Sequence, residues 1–265
     1  MNYQFNMNYK EYLRYFPLIK RLYPSFFFRI LKIFNKKKII YKFEDILLEL
    51  NIHEPMDRSI LFFHYYENKQ INFLKKIICN KNFDYFLDIG SNTGLYSLIV
   101  AKLSKNIKII SFEPIKKTFL KLKRNIQLNN FKNITIYNYG LSDNNKRLKV
   151  KALKKNNFIQ SGGFGVAAPN EDLSNLHIEK VMFKIGDQII NVYKKNIYIK
   201  IDVEGHENFV IDGLIKLIKK NSIFLQIEVF KHNETTVFKK LRSLNFKQVN
   251  KIVDGAKTDY FFKKN

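Results

Sequence analysis

Phe86-Leu-Asp-Ile-Gly-Ser-Asn-Thr-Gly94 decides the fold. A short apolar run ends in an acid, a glycine-flanked turn follows, and a helix-like segment begins at once. That order is the opening unit of a doubly wound α/β sheet. Glycines at 90 and 94 let the backbone turn tightly and approach a ligand. The helix that starts there presents free N–H groups. Asp88, Gly90, Ser91, Asn92 and Gly94 are therefore the candidate cofactor-binding loop. Glu113 lies twenty-three residues beyond Gly90, at the end of the next strand, where a carboxylate can accept two hydrogen bonds from a ribose diol.

The glycine spacing selects the cofactor. A dinucleotide site wants G-x-G-x-x-G, but Asn92 stands at the middle glycine and the pattern is D-x-G-x-x-x-G. The chain also lacks G-x-x-x-x-G-K-[ST] for a nucleoside triphosphate. A ligand with ribose and adenine but no phosphate fits, which is S-adenosylmethionine. Leu141 and Ser142 follow the third strand beside the glycine loop and are expected to line the adenine pocket.

Outward from this loop, apolar runs alternate with amphipathic segments, the signature of a parallel sheet covered on both faces. Strands are predicted at 85–89, 107–112, 134–139, 197–203 and 223–229, with helices at 94–103, 114–129, 207–219 and 234–244. Two further strands, 246–252 and 258–262, flank Asp254-Gly255 and should form an antiparallel hairpin. Residues 144–193 interrupt the rhythm, include Ser161-Gly-Gly-Phe-Gly165, and read as a long irregular insertion of the kind used for binding loops. Upstream, 38–43 and 46–51 read as strands and 67–78 as a helix. The domain reading is an extension over 1–40 and an α/β domain over 41–265.

The extension is basic and aromatic. A helix is predicted after Pro24, with Phe27, Ile30, Leu31 and Phe34 on one face. It could lie on an anionic membrane surface through residues 17–40, or pack on the catalytic domain or a partner subunit. Met1 to Phe16 has no apolar core of signal-peptide type, and no stretch approaches 18 uncharged apolar residues, so no membrane-spanning helix is expected. The sole cysteine, Cys79, excludes an internal disulfide and cysteine-cluster metal sites, and fits a reducing, cytoplasmic setting.

The 265 residues carry 47 Lys+Arg against 23 Asp+Glu, a net +24. Such charge suits nucleic acid, anionic lipid or a polyanionic substrate. Forty of the 47 cations are Lys, and 30 Asn accompany them, the bias an AT-rich genome produces.

Ile197-Tyr-Ile-Lys-Ile-Asp-Val-Glu-Gly205 is the second informative stretch. Alternation sends Ile199, Ile201 and Val203 one way and Lys200, Asp202 and Glu204 the other. Charges on a central parallel strand must pair or face a cleft. They read either as a buried ion network or as an acid/base and substrate-binding cluster. Glu228 ends the fifth strand in the equivalent place, and His206 lies at a helix start that would favour neutral imidazole.

Phe86–Gly94, Ser111-Phe-Glu-Pro114, Gly140-Leu-Ser-Asp143, Ile199-Lys-Ile-Asp-Val-Glu-Gly-His-Glu207 and Gln226-Ile-Glu228 together resemble the FkbM-type family of S-adenosylmethionine-dependent methyltransferases. The resemblance covers roughly residues 40–262. Tyr66-Glu67 resembles a Tyr-Glu pair before the first core strand of that family, which adds Glu67 to the cofactor set. The resemblance implies a class I, Rossmann-like methyltransferase fold with strand order 3-2-1-4-5-7-6. It also implies methyl transfer to an oxygen, often a hydroxyl of a sugar or other secondary metabolite. The catalytic candidates are Asp202, Glu204, His206, Lys200 and Glu228, and Asp202 belongs to the cofactor set as well. Mg²⁺ on three carboxylates is an alternative use of the acids. The expected partner is a small-molecule or glycan acceptor. The competing readings are an RNA ribose 2′-O-methyltransferase and a non-catalytic, membrane-associated protein that keeps the fold.

Overall fold

In the computed structural model, residues 9–33, 38–155, 158–159, 163–167, 176–254 and 257–264 are described. They form two units, Met1–Asn68 and Lys69–Asn265.

The first unit holds helices α1 (Tyr9–Leu13), α2 (Pro17–Ile33) and α3 (Pro55–Phe63) and strands β1 (Lys38–Phe43) and β2 (Ile46–Asn51). The strands pair as a hairpin whose two turn residues, Glu44 and Asp45, both have positive φ. That geometry matches the right-handed twist of the strands. Phe43, Ile46, Leu48, Leu50, Ile60 and Phe62 are buried. Helix α2 starts at Pro17, earlier than the sequence predicts, and runs through Pro24. Proline is well placed at a first helical position. Tyr23 and Phe27 of α2 pack against Phe62 of α3, with ring centroids 6.0 and 6.2 Å away. Phe34 and the side chains of Ile30 and Leu31 lie outside the described residues.

The second unit holds all but the first residue of α4 (Asn68–Asn80) and continues β3 (Tyr85–Ile89), α5 (Leu95–Leu103), β4 (Lys108–Phe112), α6 (Lys116–Asn129) and β5 (Ile134–Tyr137). Then come β6 (Gly140–Ser142), β7 (Lys146–Lys155), β8 (Phe158–Ile159), β9 (Gly165–Val166), β10 (Leu176–Ile185) and α7 (Gly186–Ile189). The chain returns through β11 (Asn196–Ile201), α8 (Glu207–Asp212), α9 (Ile215–Lys220), β12 (Ser222–Glu228), α10 (Glu234–Ser243), β13 (Lys247–Asp254) and β14 (Lys257–Lys264).

The large sheet runs β13-β14-β12-β11-β3-β4-β5. In order of the strands that build it, this is 3-2-1-4-5-7-6. Strands β3, β4, β5, β11 and β12 are mutually parallel, and the β13–β14 hairpin is antiparallel. The hairpin turn at Gly255 lies outside the described residues. Ile199, Ile201, Leu225 and Ile227 face one apolar layer with Val210, Ile211 and Leu214 of the crossover.

Two features differ from the sequence reading. The predicted helix 207–219 is two helices, because Gly213 packs on the backbone of Ser142, where a Cβ would lie 2.1 Å from the carbonyl oxygen. Asp187 then caps α9, accepting from the N–H groups of Lys216 and Leu217 at 2.8 Å each. The second difference is the insertion. Instead of an irregular loop it contains two paired strands, β7 and β10, in a smaller sheet with β6, β8 and β9. The inner face of this sheet, with Val150, Val181 and Phe183, packs on Ile115, whereas Arg147, Lys149, Lys180 and Lys184 on the outer face are exposed.

Candidate active site

The loop after β3 is held from several sides. The N–H groups of Gly90 and Ser91 both donate to the carbonyl of Phe112 at 3.0 Å. The Asn125 amide donates to the Thr93 carbonyl at 2.9 Å. Asp202 N–H donates to the Ile89 carbonyl at 3.0 Å, which joins the loop to the end of β11. Gly90 has φ +81°, and a Cβ there would stand 1.9 Å from the Asp202 carbonyl oxygen. Only glycine fits, because the space a side chain would take is filled by the backbone of Asp202, so the loop lies directly against the chain at the end of β11.

Glu113 follows β4 directly. Its Oε2 accepts from Asn92 N–H and its Oε1 from Ile115 N–H, both at 2.9 Å. The carboxylate is thus fixed by two amides, and each oxygen keeps a lone pair for a ligand hydroxyl. Burial pushes Glu113 up to about 7, and the two amide bonds oppose that rise.

Asp88 Oδ2 accepts from Ser97 at 2.6 Å, and Ser97 is 2.7 Å from Ser111. Asp88 Oδ1 is buried with no hydrogen-bond partner among the described residues. Burial pushes this carboxyl up, and Lys200 pulls it back. Lys200 is paired in register with Asp88 on the neighbouring strand, and its Nζ lies 2.9 Å from Asp202 Oδ2 and 4.4 Å from the Tyr96 ring centre. Lys200 is 4 % exposed, so it is the buried ion pair that a central strand requires.

The same polar layer continues across the sheet. Tyr198 donates to Gln226 and Gln226 to Asp259, both at 2.8 Å, and Gln70 donates to Asp259 at 3.1 Å. Burial pushes Asp259 up, with Lys200 opposing. Glu228, at the end of β12, is buried and registers with Asp259. Sequence reading missed Ser97, Ser111 and Asp259. An acid leading the apolar run Asp259-Tyr-Phe-Phe262 is the signal that marks the last of these.

Strand β11 ends at Ile201, so Asp202 and Glu204 lie in the turn after it. Glu204 has φ +50° and Gly205 +100°, and Glu204 is half-buried. A non-glycine residue in this region stores backbone strain, common where a side chain is aimed at a site. His206 is buried, with Nε2 2.9 Å from Ser142 Oγ, and that hydroxyl donates to Asp143 at 2.9 Å. Its ring lies between Phe183 and Phe209, with centroids 5.2 and 4.6 Å away. Burial depresses His206 to about 4, Lys146 adds to the effect and Asp143 opposes it. Leu141 is buried in the apolar layer. Ser91 is buried, with its hydroxyl 3.3 Å from the Phe112 carbonyl. Glu67 belongs to the first unit, where it is buried with φ +48°.

The residues fit a nucleoside sulfonium ligand. An unmatched buried oxygen on Asp88 suits a cationic group and Glu113 suits a diol, while Gly90 fixes the loop between them against Asp202. No group of three or more His, Cys, Asp or Glu among the described residues is arranged to hold a metal ion.

This strand order, glycine loop and strand-end acid define the class I methyltransferase fold. The family model described as "Methyltransferase FkbM domain" matches residues 88–252, and the chain belongs to that family. It is a methyltransferase. No curated protein matches the chain. Among solved structures it resembles a precorrin-6y C5,15-methyltransferase from Geobacter metallireducens, at 9 % identity over 76 % of this chain and 89 % of that one, TM-score 0.48. It also resembles a human methyltransferase 10 domain containing protein, at 12 % identity over 82 % and 87 %, TM-score 0.48. A third is M. jannaschii TYW2 in complex with AdoMet, at 11 % identity over 86 % and 87 %, TM-score 0.43.

Proposed function

We propose that the chain transfers a methyl group from S-adenosylmethionine to a hydroxyl oxygen on a sugar, polysaccharide or secondary metabolite. The observation that carries this reading is the strained, half-buried Glu204, two residues after the Lys200-paired Asp202 on a turn joined to the cofactor loop. When bound, the cofactor supplies an electrophilic methyl on sulfur. Asp88, Gly90 and the backbone to Gly94 hold it, and Glu113 takes the ribose hydroxyls.

The protein must then orient the acceptor and remove its proton. An alcohol is a poor nucleophile at neutral pH, and a positioned base is worth ~10²–10⁴-fold. Asp202 is held by Lys200, and Glu204, on the strained turn that follows, takes the proton in this reading. Lys200 orients Asp202. His206 is depressed by burial and engaged with Ser142, so it positions the turn rather than accepting a proton. Glu228 closes the acceptor side at the end of β12.

A second reading, ribose 2′-O-methylation of RNA, is favoured by the basic outer face of the small sheet. Incubating the protein with methyl-labelled S-adenosylmethionine and lysate pools of glycan, lipid, small molecules and RNA separates the readings. Alkali-stable label in the glycan or small-molecule pool is expected. Label confined to RNA would replace the first reading with the second.

A further inference from the structure

Half of the exposed large apolar and aromatic side chains among the described residues lie between Tyr9 and Phe27. In α2 they form a stripe. Leu18, Leu22 and Phe26 recur every four residues and are 75, 63 and 64 % exposed, with Ile19 beside them. These positions fall within about 100° of the helix circumference. The stripe is not the face that holds the first unit together. Tyr23 and Phe27 perform that task against Phe62.

A contiguous apolar stripe on a surface marks an interaction site. The charges of α2 indicate what covers it. Its sequence holds Lys20, Arg21, Arg29 and Lys32 and no acid. Lys20, Arg21 and Arg29 are exposed. Pairing with a second copy would press cations against cations. An anionic bilayer surface matches both features, since acyl chains accept the stripe and headgroups accept the cations. Tyr9, Tyr12 and Tyr15, all exposed just upstream, are side chains that favour the headgroup level. No helix among the described residues is long and apolar enough to cross a membrane.

We infer that α2 docks the protein on an anionic membrane surface, lying in the interface with Leu18, Leu22 and Phe26 in the acyl region. This placement is independent of the acceptor proposed above. It brings the methyltransferase to substrates held at a membrane.

The chain contains no tryptophan, so Leu22→Trp introduces a single reporter. Its emission should shift to the blue with phosphatidylglycerol-containing vesicles and stay unchanged with pure phosphatidylcholine. Independently, Leu18→Ser/Leu22→Ser/Phe26→Ser should weaken co-sedimentation with the anionic vesicles by at least ~10-fold, with S-adenosylmethionine affinity unchanged. An unshifted reporter, or a triple variant that sediments like the wild type, would overturn the inference. So would a lipid-free dimer that the triple variant dissolves, since the stripe would then belong to a second copy.

Discussion

Lys200 in the large sheet is 4 % exposed and sits 2.9 Å from Asp202, with Asp88 in register beside it. Lys149 and Lys180 in the small sheet stand directly opposite each other across β7 and β10, both exposed. A buried cation must be matched, because the interior cannot screen it, so its acids are fixed in place. A solvated cation carries no such demand, and two can face each other at small cost. The difference separates the parts of this strongly basic chain that govern the chemistry from the parts that tune its surface. It also ranks the consequences of mutation.

The largest effect is expected where the buried network meets the backbone. Gly90→Ala drives a Cβ into the Asp202 carbonyl at 1.9 Å, at a φ of +81°. Neither atom can yield without breaking the Asp202–Ile89 bond that joins loop and strand. Cofactor affinity measured by calorimetry should fall at least ~100-fold, about 2.7 kcal/mol or more. Gly163, near the small sheet, has φ +82° but meets nothing within 4 Å. Gly163→Ala should cost only the local strain of about 1–2 kcal/mol in stability and leave cofactor affinity intact. Equal losses in the two variants would erase the distinction.

Glu204→Gln comes next. It keeps size and most hydrogen bonding while removing the proposed base. Turnover should fall ~10²-fold or more with melting temperature and cofactor affinity held. A lower melting temperature with turnover per folded molecule intact would make Glu204 part of the structural ion network instead.

Glu113 is a buried acid held by amides rather than by a cation, and its expected signature is a pH profile. Glu113→Ala should weaken cofactor binding ~10-fold. In the wild type, burial raises the carboxyl to about 7 from its ordinary 4.5. Ribose hydroxyls donate, so they prefer the ionised form, and affinity should rise as pH increases through about 7. Stability runs the other way. The folded state holds this proton more tightly than the unfolded chain, so the group's contribution falls as pH rises from 4.5 to about 7. Glu113→Gln should flatten both profiles, and an unchanged affinity profile in that variant would remove Glu113 from the ribose.

The same contrast explains what could be read from the sequence. Strands buried on both faces are continuous apolar runs, so β3, β4, β11 and β12 are legible to within a few residues, and so is the acid one residue before the end of β3. Lys200 and Asp202 stood out because they broke such a run. Strand β7 alternates Lys149 and Lys151 with Leu148 and Val150, and this half-solvated pattern reads as polar beside a glycine-rich stretch. The Asp259 network was hidden for another reason. Its partners Gln226 and Gln70 lie 33 and 189 residues away, so no local spacing announces them. Ser142 and His206 are likewise joined only by the fold, 64 residues apart.

The smallest expected effect tests the surface half of the contrast directly. Lys149→Glu places a carboxylate opposite Lys180 and converts a like-charge cross-strand pair into an opposite-charge one. Such pairs differ by roughly 0.2–1 kcal/mol, and exposure keeps the value at the low end. In a chain of this size that is a rise in melting temperature of at most about 2–4 °C. The rise should shrink as salt is added, because ions screen the wild-type repulsion it relieves. Neither cation touches the cofactor loop, so S-adenosylmethionine affinity should stay as in the wild type. If the outer face instead serves RNA, Lys149→Glu should reduce RNA affinity and flatten its salt dependence while leaving the small gain in stability in place. A drop in melting temperature would mean that Lys149 is matched after all, and the two sheets would then treat their lysines alike.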